Sequence, residues 1–236
     1  MMRVLFGAAF GLALSAAAAR PDRPVLLELF TSEGCSSCPP ADALLERLDR
    51  TQPVPGAQLI VLSEHVDYWN HIGWTDPFSS RAFTLRQEDY ARHFRSEGPY
   101  TPQLVVDGRH ESVGSDARAA EAAIREELGK PQTAVRIETG GGSAEVQVDP
   151  LPPGTARKAE VYAAWADEEG TSEVARGENQ GRRLHHVAIV KELKPIGAVY
   201  QHQGFRGELP LKPGMRLVVF VQEGAGGAVW GAAMAR

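Results

Sequence analysis

The sequence has little cysteine, no cluster of basic residues and no motif that binds phosphate. Only two of its 236 residues are cysteines, which excludes a small fold held together by several disulfides. The net charge is −5 and Lys and Arg form no run, so we expect no nucleic acid as a partner. A glycine-rich phosphate loop and a serine nucleophile elbow are both missing, and we predict no cofactor. The remaining composition, 43% hydrophobic and 23% charged, is typical of a globular protein with its own core.

The first nineteen residues have the pattern of a secretory signal peptide. Arg3 gives a positive start, residues 4–14 are mostly apolar, and Ala17 and Ala19 form a small-residue cleavage site. An uncleaved anchor is the alternative, but the apolar run is shorter than the roughly 20 residues that span a bilayer. We therefore predict a signal peptide over 1–19 and a periplasmic or secreted protein that is free of the membrane after cleavage. Disulfides form and persist in those compartments.

Residues 20–130 alternate between strand and helix patterns. Short apolar runs predict buried strands, and apolar residues three and four positions apart predict helices between them. The predicted order is β-α-β-α-β-β-α, with Ser79 or Ser80 capping the second helix and Ser115 capping the third. The predicted strands are 25–30, 58–63, 103–106 and 109–113.

From residue 131 onward, alternating apolar and polar residues predict about seven short strands and no helix. Turns rich in proline and glycine separate these strands, a pattern typical of a β-sandwich. We therefore predict an α/β domain over 20–130 and a β-sandwich-like domain over 131–236.

Cys35 and Cys38 are the residues best placed for chemistry, because they follow a buried strand and begin a helix. The free N–H groups and positive end of a helix N-terminus stabilise a thiolate on Cys35, and Cys38 is close enough to form a small disulfide ring with it. A redox couple, an incomplete metal site and an inert bridge are the three interpretations, of which we favour the redox couple. We expect Cys35 to be the more exposed thiol because it precedes the helix.

The cysteine motif and the segment Tyr100-Thr101-Pro102 before strand 103–106 together resemble the thioredoxin superfamily. More narrowly, the chain resembles a bacterial family of exported thioredoxin-like proteins of unknown function. The segments that carry this second resemblance are 28–42, 65–70, 73–78, 100–103 and 177–182. The resemblance implies a thioredoxin-like fold for 20–130 and a cis Pro102 that faces the cysteines. It also matches Glu28 to a buried acid that helps the cysteines transfer protons.

Glu28 is a single acid in an otherwise apolar strand, where an unpaired carboxylate is costly. It is either a buried acid with a raised pKa that serves Cys38, or a carboxylate paired with a nearby donor or facing solvent.

The loop over 64–77 is expected beside the cysteines, because parallel strands end at the same edge of a sheet. His65 could lower the thiol pKa or complete a metal site, and Trp69 could line a substrate groove with Tyr100 and Thr101. Alternatively, the aromatic side chains cover the edge of the core and His65 bonds a carbonyl.

Other polar residues receive structural interpretations. His185 and His186 are adjacent in a predicted strand and point to opposite faces, so they cannot form one metal site, and we predict that they are surface or packing residues. Glu178 and Asn179 lie beside glycines and are interpreted as turn residues. We name no metal ligands.

These observations predict an exported thiol–disulfide oxidoreductase. Cys35 attacks a disulfide and Cys38 resolves the mixed disulfide, or the same steps run in reverse on a dithiol. The expected partners are a protein or small-molecule disulfide or dithiol and a redox partner protein. One alternative is a periplasmic copper- or zinc-binding protein or metallochaperone that uses both cysteines and His65. Another is a binding module that kept the fold without turnover.

Overall fold

The computed structural model describes residues 22–236, so the predicted signal peptide lies outside the described residues. The first elements follow the predicted order β-α-β-α-β-β-α. They are β1 Arg23–Thr31, α1 Pro39–Thr51, β2 Ala57–His65, α2 Arg81–Phe94, β3 Gln103–Val106, β4 His110–Val113 and α3 Ala117–Glu127, with a short 3-10 helix at Asn70–Ile72.

Local rules explain where the helices begin. Pro39 and Pro40 occupy the first two positions of α1, where a helix needs no backbone N–H donor. Ser80 caps α2 as predicted. In α3 the cap is Asp116 and not the predicted Ser115, because the Asp116 carboxylate accepts two backbone hydrogen bonds of the first turn, each at 3.0 Å.

The remaining elements are β5 Val135–Gly140, β6 Ser143–Val148, β7 Lys158–Glu173, β8 Arg183–Tyr200, β9 Phe205–Pro210, β10 Met215–Gln222 and β11 Val229–Ala235. The fold is mixed α/β, with a large sheet in the order β11-β10-β7-β8-β2-β1-β3-β4 and a small sheet in the order β5-β6-β9. The β-sandwich-like arrangement predicted for 131–236 is not confirmed, since four of these strands extend the large sheet. Alternation predicts which face of a strand is buried, but it does not identify the neighbouring strand.

The two faces of β1 pack against different elements. Leu27 and Leu29 pack with α1 and α3, whereas Leu26 packs with Phe83 of α2 and with Phe220 of β10. β1 and β2 are parallel, and β2 continues to β8 through a pair between their residues 63 and 189. The predicted domain boundary at residue 130 falls between α3 and β5 and stays a prediction. No helix of the described part of the chain is long and apolar enough to span a bilayer.

Candidate functional site

Cys35 and Cys38 lie in the connection from β1 to α1 and form a disulfide, with their Cα atoms 5.4 Å apart. Cys38 is the N-cap of α1, and its carbonyl oxygen accepts the backbone N–H bonds of Ala41 and Asp42. The exposed fractions are 1% for Cys35 and 0% for Cys38. The expected difference in exposure is therefore not present in the disulfide form, because neighbouring segments cover both residues.

One covering segment is the loop that joins β7 to β8. Asn179 is buried in this loop, and its side-chain amide donates hydrogen bonds to the carbonyl oxygens of Glu33 and Cys35 at 2.8 and 2.9 Å. The Glu178 carboxylate accepts a hydrogen bond from the Ser36 N–H at 3.0 Å. Glu178 and Asn179 thus hold the cysteine segment, a role that their interpretation as turn residues did not include.

Glu33, two residues before Cys35, has a completely buried side chain with several partners. Trp74 donates its indole N–H to the Glu33 carboxylate at 2.8 Å, and the Ser172 hydroxyl donates to the same carboxylate. The backbone N–H of Glu33 donates to the Asp76 carboxylate at 2.9 Å. Glu33 is therefore held by the 64–77 loop and by β7 together.

His186 of β8 lies between two carboxylates that flank the cysteine pair in the sequence. Its ring nitrogens are 3.4 Å from Glu33 Oε1 and 3.6 Å from Asp42 Oδ1. Burial lowers the pKa of His186, but the carboxylates of Asp42 and Glu33 outweigh burial and raise that pKa to about 10. His186 is therefore protonated at neutral pH. His185 is partly exposed, so the two histidines point to opposite faces of the strand as predicted.

His65 is completely buried and pairs with a carboxylate, not with the carbonyl that the alternative interpretation expected. Its Nδ1 is 2.8 Å from Asp76 Oδ2, and its ring lies 4.6 Å from the ring of His186. Burial raises the pKa of Asp76, but His65 and the backbone donors of Glu33 and Phe78 bring it below its usual value. His65 therefore lies under the site and not on a substrate-facing surface. Among residues 22–236, no group of three His, Cys, Asp or Glu side chains is arranged to hold a metal ion.

Trp69 and Thr101 lie next to the cysteine loop and are partly exposed. The indole N–H of Trp69 donates to the Thr101 hydroxyl at 2.8 Å. A Cβ atom added at Gly34 would lie 2.8 Å from the Trp69 Cβ, so only glycine fits there. The structure thus brings Trp69, Thr101 and the residue before Cys35 together, and their contact with a substrate stays a prediction.

Pro102 lies beside the first turn of α1, and the Thr101–Pro102 peptide bond is cis, as expected from the sequence. Gly114 lies between Pro102 and α1, because a Cβ added at Gly114 would be 3.0 Å from the Pro102 Cβ and 3.1 Å from the Ala41 Cβ. Tyr100 is half-buried, its carbonyl accepts a hydrogen bond from a side-chain amide of α2 at 2.6 Å, and burial together with a nearby carboxylate raises its pKa to about 12.

Glu28 is buried, but it faces α2 and not the cysteine helix. Arg86 donates to the Glu28 carboxylate at 2.6 Å, and the Tyr90 hydroxyl donates to its other oxygen. Glu64 lies 3.5 Å from Arg86, and burial and the charge of Glu28 raise the pKa of Glu64 well above its usual value. The placement favours the interpretation of Glu28 as a carboxylate paired with a nearby donor, and not as the acid that serves Cys38.

Several polar residues that surround the cysteines were not predicted from the sequence. Glu33 and Asp42 lie inside the segment 28–42 that carried the resemblance, and two acids flanking a cysteine pair were a usable signal. Asn179 lies inside the quoted segment 177–182. For His186 the sequence offered no such signal, because its partners are more than 140 residues away.

One family model and two solved structures are similar to this chain. The family model described as "Protein of unknown function (DUF1223)" matches residues 26–222. The crystal structure of protein AGR_C_4864 from Agrobacterium tumefaciens is similar, with 28% identity and a TM-score of 0.75 over 92% of this chain and 95% of that chain. HBP35 of Porphyromonas gingivalis is similar in fold, with 14% identity and a TM-score of 0.59 over 92% of this chain and 76% of that chain. No curated protein matches.

Proposed function

The chain belongs to the DUF1223 family of proteins of unknown function, and we propose that it is an exported thiol–disulfide oxidoreductase that acts through Cys35 and Cys38. The observation that carries this proposal is the position of the disulfide at the start of α1, with Cys38 as the N-cap. Free N–H groups and the helix dipole stabilise a thiolate at such a position. A cysteine pair placed there can open and reform its bond as part of a reaction.

A thioredoxin-like fold for residues 20–130 is part of the same proposal. The order of elements from β1 to α3, the cysteines before α1 and the position of Pro102 beside Ala41 support it. Trp69 and Thr101 next to Gly34 give the cysteines a partly exposed border. A substrate disulfide or dithiol would bind against this border, to which Tyr100 is adjacent in the sequence.

The proposed reaction is a two-step exchange of sulfur–sulfur bonds. In the reduced protein the Cys35 thiolate attacks one sulfur of a substrate disulfide, forms a mixed disulfide and releases the other sulfur as a thiolate. Cys38 then loses its proton, attacks the Cys35 sulfur and releases the second substrate thiolate. The substrate gains two electrons and the protein forms the Cys35–Cys38 bond. A dithiol partner that becomes a disulfide restores the reduced protein.

The proton of Cys38 needs an acceptor inside the protein, and Asp42 is better placed than Glu28. Cys38 has helical backbone angles and Asp42 follows four residues later, so their side chains share one face of α1. Thr31 donates to Asp42 Oδ1 at 2.9 Å. The buried Oδ2 has no hydrogen-bond partner among residues 22–236. We therefore assign to Asp42 the role that the resemblance gave to Glu28.

The proposed location is the periplasm or the cell exterior, which rests on the predicted signal peptide over 1–19. The proposed partners are a protein or small-molecule disulfide or dithiol and a redox partner protein. A disulfide in the described structure is consistent with such a compartment.

Trapping of the mixed disulfide tests the proposed function. The Cys38→Ser variant cannot resolve the intermediate, so we expect it to retain a small chromogenic thiol on Cys35, detected as a mass increase that dithiothreitol removes. Glu173→Gln changes an exposed residue at the end of β7 and serves as the control, which should turn over like the parent. The proposal fails if the folded parent is not reduced by glutathione or dithiothreitol, or if no mixed disulfide accumulates in Cys38→Ser.

A further inference from the structure

The β7–β8 loop contacts the backbone on both sides of Cys35, and neither contact is needed for the exchange reaction itself. Asn179 is 1% exposed and bridges the carbonyl oxygens of Glu33 and Cys35. Arg182 donates to the Asn179 side-chain oxygen at 3.0 Å, which fixes the orientation of the amide. The cysteine segment is therefore held by a loop from a distant part of the sequence.

Glu178 makes the second contact and places a negative charge next to Cys35. Its carboxylate accepts the Ser36 N–H at 3.0 Å, and its side chain is exposed to solvent. Hydrogen bonds from Ser36 hold the pKa of Glu178 below its usual value, so the carboxylate is ionised at neutral pH. The Ser36 N–H belongs to the turn that precedes α1, the region that stabilises a thiolate on Cys35.

We propose that Glu178, held beside Cys35 by the Asn179 loop, is a positioning residue that favours the Cys35–Cys38 disulfide over the reduced pair. This inference rests on the proposed function. In the disulfide form Cys35 carries no charge, and the Glu178 carboxylate binds Ser36 without repulsion. When Cys35 becomes a thiolate, a second negative charge forms one residue away and competes for the same N–H groups. Glu178 therefore raises the free energy of the reduced thiolate form.

The balanced reaction defines what is measured. Two glutathione thiols give two electrons and two protons to the protein disulfide and become oxidised glutathione. The Cys35–Cys38 bond breaks, and the proton on Cys35 then leaves for solvent when the thiolate forms. The equilibrium constant for this reduction and the pKa of the Cys35 thiol both depend on the charge of Glu178.

The Glu178→Gln variant removes the charge and keeps an oxygen that can accept the Ser36 N–H. We expect its equilibrium constant for reduction by glutathione to rise roughly three- to ten-fold relative to the parent. The acid dissociation constant of the Cys35 thiol, followed by alkylation rate against pH, should rise by a similar factor, so that the pKa of the thiol falls. Both differences should shrink between 0.05 M and 1 M salt, because salt screens charges at exposed positions.

The matched control is Glu173→Gln, at an exposed glutamate at the end of β7 whose side chain forms no hydrogen bond or ion pair within residues 22–236. It should leave the equilibrium constant and the thiol pKa unchanged. The inference is overturned if Glu178→Gln equals the parent, or if Glu173→Gln changes both quantities as much. A parent protein that does not exchange with glutathione would overturn the proposed function itself, which is a different result from normal exchange without a Glu178 effect.

Discussion

Two groups of buried charged side chains lie on opposite faces of the large sheet, and they differ in how their acids are balanced. The histidine cluster faces α1 and contains Glu33, Asp42, His65, Asp76 and His186. The arginine cluster faces α2 and contains Glu28, Glu64, Arg86, Tyr90 and Gln222. Both bury carboxylates that would be costly without partners.

The difference lies in whether the balancing cation can lose its proton. Glu28 and the other anionic partners hold the pKa of Arg86 above its ordinary value despite burial, so Arg86 keeps its charge at every accessible pH. His186 has a pKa of about 10 and exchanges its proton within the range of ordinary buffers. The balancing cation that lies next to the cysteines is therefore the one that can release and regain its proton. The arginine cluster has the properties of a structural ion pair.

Removal of Arg86 should give the largest effect, because it leaves two buried carboxylates without their cation. We expect Arg86→Met to lower the free energy of unfolding by about 3–5 kcal/mol at neutral pH, measured by denaturant titration. Arg92→Met is the matched control, since Arg92 lies on the same helix with 68% of its side chain exposed and should change stability by less than about 1 kcal/mol. Equal effects of the two changes would show that the arginine cluster is not a buried ion pair.

Replacement of His186 should give a smaller loss that depends on pH. We expect His186→Gln to cost about 2–3 kcal/mol below pH 6.5, because Glu33 and Asp42 lose their charged partner. The folded pKa of about 10 exceeds the ordinary value of 6.5. This contribution is therefore fully present below about pH 6.5 and is lost as pH rises through about 10.

The measurement for His186 is the free energy of unfolding at several pH values between 6 and 10.5. The parent should lose stability relative to His186→Gln across that window, and the two curves should converge at its upper end. Asp107, whose pKa burial raises to about 8, titrates in both proteins and cancels in the difference. A difference that does not change with pH would mean that His186 is neutral in the folded protein.

The sequence predicted the elements around the cysteines because the signals there are local. The apolar run of β1, the apolar face of α1 and the cysteine spacing lie within about thirty residues and need no distant partner. The cap of α3 was predicted one residue too early, since Ser115 and Asp116 are both good caps and only geometry distinguishes them.

The contacts of the site depended on distant pairings that the sequence could not supply. Asn179 and His186 reach the cysteine segment because β8 lies beside β2 in the large sheet, and no periodicity predicts that neighbour. The surroundings of Glu28 were likewise not predictable from the sequence. Alternation along β1 separates it from Leu27 and Leu29, but it does not say which face α1 covers.

Replacing one acid of each cluster by its amide separates the effect on stability from the effect on the reaction. We expect Glu28→Gln and Asp42→Asn each to lower the free energy of unfolding by about 1–2 kcal/mol, since each weakens buried hydrogen bonds without removing the side chain. Their effects on the reaction should differ. Asp42→Asn removes the proposed proton acceptor of Cys38 and should slow the release of a thiol from the mixed disulfide by roughly ten- to a hundred-fold. Glu28→Gln should leave that rate at the parent value, because Glu28 faces α2.

Single-turnover release of a chromogenic thiol measures this rate, and the first step, formation of the mixed disulfide on Cys35, is the internal control in each protein. Slow release in Glu28→Gln with normal release in Asp42→Asn would return the proton transfer to Glu28 and to the arginine cluster. Normal release in both variants would show that neither acid takes the proton of Cys38. Denaturant titration of both variants is measured alongside, and with similar free energies of unfolding a difference in release rate does not come from partial unfolding. The difference in release rate then shows on which face of the sheet the acid that accepts the Cys38 proton lies.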